Sequence, residues 1–214
     1  MQLAEIWRYP VKSMAGEKLQ HAMLDELGIA GDRIVHVQNN RGRVITSRTH
    51  PKLLGHKARL NASGMPLVDE RPWNSASVAE DIKKEIGASA RLVHYEGEER
   101  FDILPLLVAT DGAIAAFGYD GRRLRPNLII GGVEGLAERT WPGKILRINS
   151  VLIGVQDLRG RCVMTTFDPD TLVQDREVLA SIVARFEGTL ALNCFVIQGG
   201  EVRVGDAVEL LEQE

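Results

Sequence analysis

Along most of the chain, apolar positions recur every second residue in short runs broken by turn residues. In IVHVQNNRGRVIT (34–46), Val35 and Val37 alternate with polar neighbours, Asn39 to Gly42 supply turn chemistry, and Val44 and Thr46 resume the period of two. That pattern predicts a hairpin. Similar runs fall at 3–9, 90–94, 127–130, 145–148, 151–155, 162–166, 193–197 and 207–211, and the ending GGEVRVGDAVELL reads as a second β-meander. Period 3.6 is rarer. Ser77 with Glu80 forms a capping box ahead of Val78, Ile82 and Ile86, and Gly87 ends that run. A stronger stripe over 175–186 joins Val178, Leu179, Ile182, Val183 and Phe186 before Gly188. Thr110 caps a short helix, DGAIAAF, closed by Gly118. Many short strands with a few satellite helices give a mainly β (α+β) fold of barrel-like architecture. The charged, strand-poor stretch EGEERFD (96–102) marks a boundary, dividing the chain into 1–98 and 99–214.

Composition narrows the class. The 214 residues are 44% hydrophobic and 26% charged, as expected of a chain that buries a core. The net charge of −3 hides an asymmetry: residues 1–60 carry ten Lys/Arg against five Asp/Glu, and the remainder reverses the balance. No Lys/Arg-rich tract of the nucleic-acid kind occurs, so a nucleic-acid partner is not expected. The longest apolar run, ILPLLVA (103–109), is strand-sized, and no membrane segment or signal peptide is read. Two cysteines do not make a disulfide framework, which favours a reducing, cytoplasmic setting.

Nucleotide-binding loops, a helical His pair and a G-x-S-x-G elbow are all absent from the sequence. Three segments carry more chemistry. In YPVKSMAG (9–16), Lys12 and Ser13 stand on a loop closed by Gly16, a charge and a hydroxyl that suit a phosphate oxygen. In GYDGRRLRPNLII (118–130), Pro126 is expected to hold Arg125 extended, and Asn127 opens an apolar strand. In GRCVMTTFDPDT (160–171), Arg161 precedes Cys162 and can favour its thiolate, although strand alternation would send the two side chains to opposite faces. Spacing alone leaves Cys162 open as a packing residue, a redox thiol or a metal ligand. Cys194, within LALNCFVI, reads as core.

Taken together and in order, YPVKS (9–13), GDR (31–33), GRVITSRTHPKL (42–53), RLVHYE (91–96), LRPNLII (124–130), RCVMTTFDPDT (161–171) and VGDAVELL (204–211) resemble the MOSC family. The likeness is strongest to its amidoxime-reducing branch. The resemblance implies an N-terminal β-barrel part (1–98) and a β-rich MOSC domain (99–214), with molybdenum cofactor (Mo-molybdopterin) between them. It implies Cys162 as molybdenum ligand and Lys12, Ser13, Arg33, Thr110, Asp111, Arg125, Asn127 and Arg161 as cofactor contacts, with Arg48 at the site mouth. The implied chemistry is two-electron reduction of small N-hydroxylated compounds, fed by a separate reductase or ferredoxin-type protein. A non-enzymatic carrier of cofactor or sulfur is the alternative, and a barrel module with a vestigial pocket a third. Pyridoxal phosphate is not expected. The segment between GHKARL and RLVHYE is short for the branch.

Overall fold

The computed structural model describes residues 1–212. Its main sheet has eight strands in the spatial order Val208–Leu211, Ile145–Ile148, Val151–Gly160, Thr189–Gln198, Leu106–Thr110, Leu128–Gly131, Gln2–Arg8 and Glu17–Leu19. All neighbours are antiparallel except Leu106–Thr110 and Leu128–Gly131, which run parallel. A parallel pair needs a crossover, and helix α2 (Asp111–Phe117) supplies it. The sheet closes on itself: Leu3 N–H donates to Asp206 O at 2.8 Å and Val208 N–H to Met1 O at 3.0 Å. Closure removes the open edge and makes a barrel.

Its interior is aliphatic. Leu3, Ile6, Val108, Leu128, Ile130, Leu146, Ile153 and Leu192 are wholly buried, and Cys194 packs among them. Each such side chain contributes about 1.5–3 kcal/mol of burial. A second core lies in the N-terminal half, where Val11, Val35, Val37, Leu53 and Val68 meet Val78 and Ile82 of helix α1 (Ala76–Ile86). A third packs α2 against helix α3 (Glu177–Phe186) through Phe117, Leu124, Val178, Ile182 and Phe186. The N-terminal strand Gln2–Arg8 belongs to the main sheet, so the two halves share one framework. No helix among the described residues is long and apolar enough to cross a membrane.

The hairpin forms as read, Val35–Gln38 pairing with Val44–Ile45. Four expectations change. The cap of α1 is Ser75, which accepts from Val78 N–H, two residues before the expected Ser77. The C-terminal runs do not form a meander, because Gly200–Arg203 pairs with His21–Asp25 and Val208–Leu211 with Ile145–Ile148. Residues 162–166 are not a strand. Cys162 is extended, and Val163–Thr166 form a 3₁₀ turn in which Thr165 and Thr166 hydroxyls donate to the carbonyls of Cys162 and Val163. Arg125 is left-handed at φ 57°, not extended. Its N–H closes the preceding turn on Arg122 O, and its guanidinium is tied to Met14 O at 2.7 Å.

Candidate functional site

A cavity of about 390 Å³ opens where the Val11–Met14 loop, the hairpin exit at Thr46–Arg48, residues 101–107, the RPN segment and the end of strand Val151–Gly160 converge. That volume is within the ordinary range for a ligand pocket. Lys12, Ser13, Arg33, Arg48, Arg125, Asn127, Arg161 and Cys162 all line it. Arg123 and Arg159 join them, so the wall carries seven cationic side chains against one carboxylate, Asp102. Such an imbalance in a walled cavity focuses a positive potential and favours an anionic occupant.

Local backbone shapes put these groups on the wall. Ser13, Arg33 and Arg125 have φ of 73°, 56° and 57°. A left-handed non-glycine residue costs about 1–3 kcal/mol and persists only where its surroundings hold it. Here the holding contacts are specific. Ser13 Oγ accepts from Ser47 N–H at 3.0 Å, leaving its own O–H free to donate. Arg33 N–H donates to Tyr9 O at 2.8 Å. At Gly16, which closes the first loop, any Cβ would strike the Arg8 carbonyl and the Tyr9 ring.

Beneath the wall lies a buried charge that the motif reading passed over. Asp32, fully buried, accepts from Tyr9 N–H at 2.6 Å and Asn127 Nδ2 at 3.2 Å, and it pairs with Arg33. The Asn127 amide is fully engaged, donating also to Trp7 O and accepting from Leu107 N–H and Arg33. Asn127 therefore orients Arg33 and joins the two halves, with no donor left over for a ligand. The GDR motif contained the signal, since a carboxylate beside the site arginine is its natural counter-ion.

Arg125 and Arg161 are desolvated cations. Burial pushes each down to about 10, and both remain protonated near neutrality. Arg161 donates to Leu124 O at 2.7 Å. Its Nε, like that of Arg123, is buried without a hydrogen-bond partner among the described residues. Unmet donors of that kind are costly, and an acceptor on a ligand would satisfy them.

At the mouth, Asp102 meets Lys12 Nζ at 2.8 Å and Arg48 Nη2 at 2.5 Å, with Arg159 at 3.8 Å. Burial alone would raise this carboxyl, but Lys12 and then Arg48 outweigh it and hold it down at about 2. Arg48 and Cys162 line the same cavity. Cys162 is half-buried, and Cys194 is sealed in the barrel, where burial pushes its thiol up.

Thr110 and Asp111 are not part of this wall. Thr110 Oγ1 accepts from Ala113 N–H as the cap of α2 and donates to Glu138. The Asp111 carboxylate accepts from Gly112, Gly132 and Val133 N–H. Both are occupied in building the crossover.

A family model described as the MOSC N-terminal beta barrel domain matches residues 1–102, and one for the MOSC domain matches 109–209. The human "Mitochondrial amidoxime-reducing component 1" is 24% identical over 287 aligned positions, covering 99% of this chain and 83% of the relative. The human component 2 is 26% identical over 233 positions, covering 82% and 69%. The first alignment is longer than the 214-residue chain, so that relative carries insertions absent here. The crystal structure of the YUAD protein from Bacillus subtilis has a TM-score of 0.55 at 13% identity, covering 100% of this chain and 96% of that one, and shares the fold. An N-terminal barrel part matched over 1–102 and a second domain matched over 109–209 place the chain in the MOSC family.

Proposed function

We propose that this cavity holds a molybdenum cofactor and that the protein reduces N-hydroxylated compounds (amidoximes, hydroxylamines, N-hydroxylated bases) at the metal. Cys162 Sγ would be the protein's ligand to molybdenum. The observation that carries the reading is a half-buried thiol set in a wall of seven cations and one carboxylate. The donor set fits the group. A thiolate suits a soft metal, and a phosphate-bearing pterin needs cations and hydrogen-bond donors, which Lys12, Ser13, Arg33, Arg125 and Arg161 present. The unmet Nε of Arg161 adds a donor awaiting an acceptor.

When bound, the cofactor would supply two-electron redox chemistry. Cleaving an N–O bond to the parent amine or amidine consumes two electrons and two protons and releases water. The electrons would come from a separate electron-transfer protein. Cys162 would remain a permanent ligand rather than a turnover nucleophile, and Arg48, paired with Asp102 on the cavity wall, would face the substrate at the mouth. Cys162 and Cys194 are both free thiols, which a reducing compartment such as the cytoplasm preserves.

Protein made in a cofactor-competent host tests this through molybdenum and pterin content per chain, alongside Cys162→Ala. Reduction of benzamidoxime and hydroxylaminopurine with a chemical reductant tests the activity. Equal molybdenum in both proteins sinks the ligand assignment. Molybdenum lost in the variant, with no reduction by the wild type, favours a cofactor carrier. A pterin-free wild type favours a barrel module without cofactor chemistry.

A further inference from the structure

We propose that Arg48 and Arg159 form a carboxylate subsite beside Cys162, selecting N-hydroxylated substrates that carry a carboxylate. This rests on reading the cavity as a reductase site. The two guanidiniums come from distant segments, the hairpin exit and the end of strand Val151–Gly160, yet both converge on the carboxylate of Asp102. Both also line the cavity whose wall carries the Cys162 thiol.

Arg159 is built in rather than loose. It is mostly buried, and its Nη1 donates to Asn193 Oδ1 at 3.2 Å. Asn193 is itself fixed, donating to Asp157 at 2.6 Å. Asp102, by contrast, stands on an irregular stretch between the turn Glu98–Arg100 and strand Leu106–Thr110. The framework thus supplies the cations and a loop supplies the anion. The subsite already accommodates a carboxylate, which is the chemistry it would take from a ligand. Two planar guanidiniums match a carboxylate through paired N–H···O contacts, which a lone ammonium cannot provide. If Lys12 is engaged by the cofactor's anionic part, Arg48 and Arg159 outnumber Asp102, and the mouth keeps a positive surplus.

The test compares benzamidoxime with its para-carboxy analogue on the cofactor-loaded enzyme. Wild type is expected to favour the carboxylate in kcat/KM by about tenfold, a preference that shrinks as salt rises. Arg159→Gln should bring the ratio close to one, and Asp102→Asn should enlarge it. Equal kcat/KM values in the wild type, or a preference that survives Arg159→Gln, overturn the subsite. Calorimetric binding of both compounds to the same preparations reads the subsite without turnover. Carboxylate binding that depends on Arg159, with neither compound reduced, supports the subsite and ends the reductase reading. Binding indifferent to Arg159 ends the subsite.

Discussion

The guanidinium carbon of Arg125 lies 4.3 Å from the ring centroid of Tyr9, and that of Arg33 lies 5.2 Å from the same ring. One buried aromatic thus serves two partly buried cations from separate motifs. Tyr9 also donates through its hydroxyl to Pro126 O at 3.1 Å, while Arg125 reaches back to Met14 O. Burial pushes the Tyr9 phenol up to about 12, so it stays neutral, and the counter-charge comes from Asp32. This ring sets the distance between the YPVKS loop and the RPN segment, and with it the spacing of the cationic groups on the cavity wall.

Replacing the ring should therefore cost more than replacing its hydroxyl. Tyr9→Ala is expected to destabilise by about 3–5 kcal/mol, the usual loss for a buried aromatic. Tyr9→Phe keeps both cation–π contacts and should cost about 1 kcal/mol. Urea midpoints at constant m-value measure both. Equal losses would mean that the hydrogen bond to Pro126, rather than the stack, joins the segments.

Asp102 gives the site a signature in acid. Its carboxyl sits at about 2 against an ordinary 3.8, so the folded state holds its proton less tightly than the unfolded chain does. The stabilisation is present above the unfolded value and is lost as pH falls through the folded one. Because the side chain is 31% exposed, screening reduces the effect to about 1–2 kcal/mol. The stability gap between wild type and Asp102→Asn should narrow from about pH 5 down to about pH 2. A gap that stays constant over that range would assign the loss to packing instead.

What the sequence made legible was local. Asn39 to Gly42 announce a turn, and Thr110 and Gly118 bracket a helix, because cap and turn chemistry is written within a few residues. The run from Cys162 to Thr166 misleads because valine, methionine and threonine suit a strand. The hydroxyls of Thr165 and Thr166 instead bond back to nearby carbonyls and favour a tight turn. Strand partners were not legible, since nothing in GGEVRVGDAVELL says that its halves pair with residues 21–25 and 145–148. The cavity-lining groups of YPVKS and RPN could be named from their motifs. Asp102 and Arg159 could not, because one lies in a stretch that reads as a charged boundary and the other gains meaning only from Asn193 across the sheet.

The two thiols should differ sharply in reactivity by access alone. Iodoacetamide on cofactor-free protein is expected to modify Cys162, on the cavity wall, and to leave Cys194 untouched until the chain unfolds. Mass spectrometry of the labelled peptides reads this directly. Protein carrying the cofactor should resist at Cys162 as well if its sulfur is engaged. Rapid labelling of Cys194 in the folded protein would contradict a closed barrel.

Glu138 offers the opposite pH dependence from Asp102. It is fully buried; Oε2 accepts from Thr110 at 3.3 Å, and Oε1 has no hydrogen-bond partner among the described residues. Burial raises its carboxyl above the ordinary value, so the folded state disfavours the charged form. Below the unfolded value of 4.5 the group is neutral in both states and imposes no charge penalty. As pH rises past that point, the unfolded chain ionises more readily, and stability is lost. Glu138→Gln removes the charge and keeps an oxygen for Thr110. It should therefore gain on wild type by about 1–3 kcal/mol near neutrality, with the difference flat in acid. Paired denaturation curves across the two regimes decide it: a gain independent of pH would point to repacking around α2, and no gain would mean that the second oxygen finds water.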